Sequence, residues 1–200
     1  MTTVAVPTAG VFVLTDRGAD FAAFVVRLLA LAGYSSAGYT EDFSNVFVHF
    51  DDTISQNAAN AAVQGAVDAH VAEALYVRML ERMAEVNAYR DTWGSSHFLY
   101  NGHRWDCDAK GVRNIEKVNT TALILANSSQ DLPVGFVFRS KDNVNVPANA
   151  AYMAGMDAAL FAFGNNCYLA SWIHKYMISQ CATLQAVTDY DITAGWPARG

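Results

Sequence analysis

The sequence has few positively charged residues, and they are not clustered. Its 13 lysines and arginines are outnumbered by 19 aspartates and glutamates, which leaves a net charge of −6, and the basic residues form no run. Binding to nucleic acid or to an anionic membrane needs a basic surface that can neutralise phosphates. We therefore expect neither nucleic acid nor a membrane among the partners of this protein.

Cysteine is scarce, and long hydrophobic runs are missing. Cys107, Cys167 and Cys181 cannot all pair within one chain, and none belongs to a CxxC motif. Free thiols are usual in proteins made in a reducing cytoplasm. The amino terminus lacks the basic start of a secretory signal, and the strongest apolar run, residues 21–32, is too short to span a bilayer. The sequence predicts a soluble protein made in the cytoplasm.

Signatures of catalysis are also missing. There is no glycine-rich phosphate loop, no paired carboxylate constellation and no nucleophile elbow. The stretch that most resembles a reactive site is HFLYNGHRWDCD, residues 97–108. Its Asn101-Gly102 pair lies between two strand-like arms and predicts a β-hairpin, because both residues tolerate the positive φ of a type I′ turn.

The alternation of side chains in such a hairpin decides between a metal site and a structural one. His103, Trp105 and Cys107 share one face, so Trp105 and Cys107 are expected to enter the core. A structural zinc site needs four ligands, and a Cys-His nucleophile pair needs a third group to orient it. Neither is visible here, and His174, which lies between apolar residues, is read as a packing histidine. We predict no metal, no cofactor and no enzymatic activity.

The hydrophobic patterns indicate an α+β fold. Strands are predicted before Asp16 and over 45–50, with a loop over 34–44, hairpins over 97–108 and 136–146, and helices over 19–33, 51–91, 109–129, 150–164 and 166–185. These elements predict a small α/β N-terminal module (1–70), a connecting helix (71–92) and a helical C-terminal module with two hairpins (93–200). Asp106 or Asp108 is expected to cap the helix over 109–129, and Ile115 lies on its inner side.

Two apolar stripes suggest packing surfaces. The long helix has apolar residues about four positions apart, and the final helix has a second set that is expected to be buried. The first set is expected to contact a bundle neighbour, a sister chain or the rest of its own domain. We also expect a homo-oligomer, in which residues 1 to about 90 carry the attachment to neighbouring proteins. The first set is Val63, Val67, Val71, Leu75, Met79, Met83 and Val86; the second is Leu169, Trp172, Ile173, Tyr176, Met177 and Cys181.

The closing segment, YDITAGWPARG, has an aromatic residue at an unusual turn. Gly195 permits a positive φ and Pro197 stiffens the exit from the turn. Together they are expected to direct Trp196 back against the final helices.

The order of motifs in residues 97–197 resembles a domain of unknown function that recurs in tailed-bacteriophage proteins, often encoded among the tail genes. Its pattern is a G-x-x-(F/W)-x-x-D hairpin, a helix opening R-x-N-I, a second hairpin W/F-x-x-x-D-N, alanine-rich helices and an aromatic close. Val112 stands at the position of the pattern's arginine, with Arg113 one place later. The matching positions are Gly102, Trp105, Asp108, Asn114, Ile115, Phe138, Asp142, Asn143, Trp196 and Pro197.

The resemblance implies a virion or its assembly and transfers no catalytic residue. It leads us to expect a structural protein of a phage tail, near the fibres or the baseplate, that contacts other virion proteins. One alternative is a tail-fibre assembly chaperone that is absent from the mature particle. Another is a receptor- or glycan-binding tip, with Tyr100, Trp105, Tyr152, Tyr168 and Trp196 as candidate aromatic platforms.

Overall fold

A computed structural model describes residues 2–7, 24, 27–28, 30–31, 33–39 and 45–199. The chain divides into two compact units, 1–80 and 81–200. Of the region before Asp16, where strands are predicted, the structure describes residues 2–7, and most of the predicted helix over 19–33 lies outside the described residues. The architecture is α+β, as predicted, with antiparallel strands and helices following one another along the chain.

The first unit contains a three-stranded antiparallel sheet. Strands β1 (Thr2–Pro7), β2 (Tyr34–Tyr39) and β3 (Asn45–Phe50) are arranged in the order β1-β3-β2. The prediction of β3 is confirmed, and its alternation buries Val48 and Phe50. The loop predicted over 34–44 is wrong at its start, because β2 is a strand. Its sequence, YSSAGY, has little intrinsic β preference, so pairing with β3 creates the strand.

Helix α1 (Gln56–Gly94) runs uninterrupted through Gly65 and enters both units. Val63 and Val67 are buried in the first unit's core, Val86 is buried in the second unit, and Val71, Leu75, Met79 and Met83 between them are half-buried. An α-helix advances about 100° per residue, so each step of four residues turns the row by roughly 40°. The predicted stripe therefore winds around the helix and does not form a single face.

The second unit holds two hairpins and the remaining described helices. The first hairpin is β4 (His97–Tyr100) with β5 (His103–Asp106), and the second is β6 (Val137–Arg139) with β7 (Asn145–Pro147). Helix α2 (Ala109–Asn127) follows the first hairpin, and the carboxylate of Asp108 caps it by accepting from the amides of Lys110 and Gly111. Both hairpins and this capped helix are confirmed predictions.

The two helices predicted over 150–164 and 166–185 are one helix as far as residue 179. Helix α3 (Ala150–Ser179) passes through Gly164, and a short α4 (Leu184–Asp189) follows, capped by Thr183. Glycine within a helix costs about 1 kcal/mol relative to alanine, which is little against the packing of residues on either side. The predicted break was therefore misplaced.

The core of the second unit depends on two close approaches of backbone. A Cβ on Gly155 would meet the hydroxyl oxygen of Tyr100 at 2.2 Å, and one on Gly111 would meet the carbonyl oxygen of Asp106 at 2.3 Å. Glycine at these positions lets α3 and α2 pack directly on the first hairpin. The buried residues of this core are Phe98, Trp105, Cys107, Ile115, Ala122, Leu132, Val146, Met153, Met156, Phe163 and Cys167.

The buried side of α3 is not the predicted one. Cys167, Ala170, Ser171, His174 and Ile178 face inward. The predicted stripe is exposed from Leu169 to Met177, and only its last member, Cys181, is half-buried. The segment is apolar on both sides, so periodicity could not identify the inner face.

Candidate interaction site

The two hairpins of the second unit lie side by side and are joined by backbone and side chains. The amide of Lys141, in the turn of the second hairpin, donates to the carbonyl oxygen of Arg104 at 2.9 Å. Arg104 Nε donates to the Asp142 carboxylate at 3.0 Å, and a second guanidinium nitrogen contacts the same carboxylate. Lys141 Nζ is 2.8 Å from Asp106 Oδ1. Arg104 and Asp106 are both exposed on the solvent side of the first hairpin, and each pairs with a residue of the second hairpin.

The ion pair between Arg104 and Asp142 changes the titration of both groups. The hydrogen bond from Arg104 lowers the pKa of Asp142, and the same bond raises the pKa of Arg104. The pKa of His97 is lowered by partial burial and by Lys141. Exposed ion pairs add little to stability, so the bidentate geometry mainly fixes the relative position of the two hairpins.

Trp105 joins the hairpins from the inner side. It is 1% exposed, its indole N–H donates to the carbonyl oxygen of Tyr100 at 3.1 Å, and its ring lies 5.6 Å from that of Phe138 and 6.3 Å from that of Tyr152. The prediction that Trp105 enters the core is confirmed. It cannot serve as an exposed aromatic platform in this position.

Several motif residues meet in a small cleft between the hairpins and α2. Trp105, Asn114, Ile115 and Phe138 line it, together with Asp106, Gly111 and Arg139. Ile115 is 1% exposed, which confirms its predicted inward direction. Asn143 has a φ of +61° in the turn of the second hairpin, and its side-chain oxygen accepts from Arg139 at 3.3 Å. The motif residues thus build the corner at which both hairpins meet α2.

The reactive groups near this corner are placed for packing. The thiol of Cys107 contacts the carbonyl oxygen of Gly94 at 2.9 Å, and burial raises the pKa of this thiol to about 11. A protonated, buried thiol is a poor nucleophile. His103 lies edge-on to Trp105 with ring centroids 6.1 Å apart. Within the part of the chain that the structure describes, no three His, Cys, Asp or Glu side chains form a group that could hold a metal ion.

The closing segment is fastened by Trp196, as predicted. The indole is half-buried, stacks on His174 with centroids 5.4 Å apart, and lies 5.3 Å from the ring of Tyr89. Gly195 has the expected positive φ, +75°. Trp196 Nε1 donates to the carbonyl oxygen of Ile192 at 2.8 Å.

His174 makes hydrogen bonds that hold the closing segment against α3. Its Nε2 is 2.9 Å from the carbonyl oxygen of Ala194, and its Nδ1 is 2.9 Å from the hydroxyl of Tyr190. A carbonyl can only accept, so in the neutral imidazole Nε2 carries the proton and Nδ1 accepts from the tyrosine hydroxyl. The interpretation of His174 as a packing histidine is confirmed, since it is 6% exposed. Its two partners were not foreseen.

Two further side chains hold the end of the chain. Trp93 Nε1 donates to the carbonyl oxygen of Pro197 at 3.1 Å, and the guanidinium of Arg199 lies 3.4 Å from the centre of the Trp93 ring. Arg199 also donates to the hydroxyl of Ser96 at 2.6 Å. Nothing in the local sequence pattern connects residue 93 with residues 197 and 199.

A broad exposed apolar surface of the second unit lies on α3. We call it the α3 outer face. Its members are 43% to 64% exposed, whereas large hydrophobic residues in the core are below 10%. Contiguous apolar patches of this kind usually mark sites of interaction. The α3 outer face consists of Tyr168, Leu169, Trp172, Ile173, Tyr176 and Met177.

A family model matches most of the second unit. The chain belongs to the family described as a domain of unknown function (DUF4376), whose model matches residues 77–194, more than half of the 200 residues. The match includes both hairpins, α2, α3 and the last part of α1. No curated protein and no solved structure matches the chain. Within the described ranges, no helix combines the length and apolar content that a membrane span requires.

Proposed function

We propose that this protein is a structural component of a bacteriophage tail, in or near the fibres or the baseplate, and that it acts through contacts with other virion proteins. The observation that carries the proposal is the ordered set of motifs between residues 97 and 197, which resembles a domain found in phage tail proteins. The family match over 77–194 covers the same region but names no function, so the tail assignment rests on that resemblance.

The roles of the motif residues agree with a structural protein. Trp105 and Ile115 are core residues, Asp142 ties one hairpin to the other, and Trp196 fastens the closing segment. Each of these contacts maintains the shape of the second unit. A rigid module of this kind is suited to holding a fixed surface against neighbouring subunits.

A tail-fibre assembly chaperone is the second candidate, and the α3 outer face favours it. A chaperone that binds its client transiently would leave such an apolar surface uncovered in the free protein. A glycan-binding tip has less support, because stacking on a sugar requires exposed aromatic rings. Trp105 is buried and Tyr100, Tyr152 and Trp196 are half-buried, which leaves Tyr168 exposed among the proposed platforms.

Deletion of the gene from the phage that encodes it tests the proposal. Electron microscopy of the resulting lysate should show particles with incomplete tails, and a plasmid copy of the gene should restore them. A second plasmid carrying Trp105→Ala, which removes the central residue of the hairpin corner, should restore fewer complete tails at equal expression. Complete and infectious particles without the gene would contradict the proposal. Complete particles that fail to adsorb would favour the receptor-binding tip.

A further inference from the structure

The α3 outer face lies directly opposite the side of the same helix that is buried. The inward side consists of Cys167, Ala170, His174 and Ile178. The residues of the outer face occupy positions between these in the sequence. A helix that is apolar all round is normally covered all round. Within the described part of the chain, Arg90 contacts the edge of the outer side, with its guanidinium 4.6 Å from the centre of the Tyr168 ring. Trp172, Ile173 and Tyr176 are 58%, 62% and 64% exposed.

The area of this face comes close to what a stable dimer needs. A fully exposed aromatic side chain offers about 150–250 Å², so three half-exposed aromatics and three aliphatic residues present on the order of 600 Å². Phe161, 78% exposed and two turns earlier on the same side of the helix, extends it. Specific interfaces bury roughly 800 Å² per partner, which this surface approaches.

The distribution of charged residues on α3 suits a second copy of the same chain as the partner. The 30-residue helix α3 has only two residues with a formal charge, Asp157 and Lys175. Lys175, three positions after Trp172, lies at the edge of the outer face. Asp157 already accepts a hydrogen bond from Asn119 at 2.9 Å. A second copy brings the same apolar surface, whose six members carry no formal charge, so a two-fold axis near Ile173 brings no like charges together at the centre of the contact.

We propose that the protein forms a homodimer in which the α3 outer faces of two copies pack against each other around a two-fold axis close to Trp172 and Ile173. In such an isologous contact, residues near the axis meet their own counterparts. The assignment concerns the free protein and goes beyond the proposed phage function, because it holds whether or not the chain enters a virion.

The test is the mass of the purified full-length chain in solution, measured by sedimentation or light scattering over a range of concentrations. The expected mass is twice the chain mass of 21.7 kDa. Ile173→Glu places two like charges at the axis and should weaken dimerisation on the order of 100-fold or more. Circular dichroism should show that this variant keeps the helical content of the unmodified chain, since Ile173 is exposed.

The matched control is Ile124→Glu on helix α2. Ile124 is 64% exposed and Ile173 is 62% exposed, so the two variants differ in position and hardly in residue type or exposure. The control should remain dimeric. A monomeric unmodified chain would overturn the proposal, and so would a dimer that Ile173→Glu leaves intact, because another surface would then be responsible.

A cross-link gives an independent measurement. In a Cys181→Ser background, Ile173→Cys should form a disulfide between two copies under mild oxidation, whereas Ile124→Cys should not. The native thiols Cys107 and Cys167 are buried and should not compete. Equal cross-linking of both variants would count against an axis near residue 173.

Discussion

Replacement of Trp105 by alanine should destabilise the second unit by about 4 kcal/mol, within the 3–5 kcal/mol usual for deleting a large buried aromatic side chain. The residue is 1% exposed and contacts Phe138 in the other hairpin and Tyr152 on α3. The truncation also removes the 3.1 Å hydrogen bond to the carbonyl oxygen of Tyr100. That carbonyl would be left without its indole donor, which places the cost in the upper part of the range.

The assay is urea unfolding of the full chain followed by far-ultraviolet circular dichroism. Because the chain has two compact units, hydrogen exchange of peptides from residues 97–127 should be measured as well, so that the loss is assigned to the second unit. Trp105→Phe keeps an aromatic ring but loses the N–H donor, and should cost about 1–2 kcal/mol.

The matched control is Leu99→Ala on the neighbouring strand of the same hairpin. Leu99 is 48% exposed, so its truncation should cost less than about 1 kcal/mol. If Trp105→Ala proved no more damaging than Leu99→Ala, Trp105 would not be the central core residue of the hairpin corner, and the account of the motif residues would fail.

Three further predictions concern the closing segment, the thiols and the hairpin ion pair. Trp196→Ala should cost about 2 kcal/mol in urea unfolding, less than a fully buried tryptophan because the indole is half-buried; an unchanged midpoint would contradict its fastening role. Cys181 should react with a thiol reagent in the native protein at pH 8, while Cys107, whose pKa burial raises to about 11, should react only after unfolding; rapid native labelling of Cys107, mapped by mass spectrometry, would refute its burial. Because Arg104 lowers the folded-state pKa of Asp142, the contribution of that carboxylate is present above its ordinary pKa of about 4 and is lost as the pH falls through the folded value. Asp142→Asn should therefore lower the melting temperature near pH 7 and reduce the further loss on acidification, and an unaltered pH profile would show that the pair has no such effect.

The predictions succeeded where the structure depends on residues that are close together in the sequence. Asn101 and Gly102 have φ values of +53° and +79°, which is the conformation that the Asn-Gly pair favours. Asp108 caps the next helix two residues from the end of the hairpin. Ile115 lies inside because its helix has a distinct polar side. In each case the residues that determine the structure are within a few positions of one another.

The predictions failed where contacts between residues far apart in the sequence determine the structure. Strand β2 exists through its pairing with β3, and Arg104 finds Asp142 38 residues away. The inner side of α3 was assigned wrongly because both sides are apolar, and the closer approach of small residues such as Ala170 decides which side is buried.

The central claim, that this is a structural protein of a phage tail, is tested most directly by quantitative mass spectrometry of gradient-purified particles. Peptides from this chain should be present at a fixed ratio to those of an established tail protein, and the ratio should not change on further purification. Abundance in the infected lysate together with absence from the particles would contradict the claim and would support a role as an assembly chaperone.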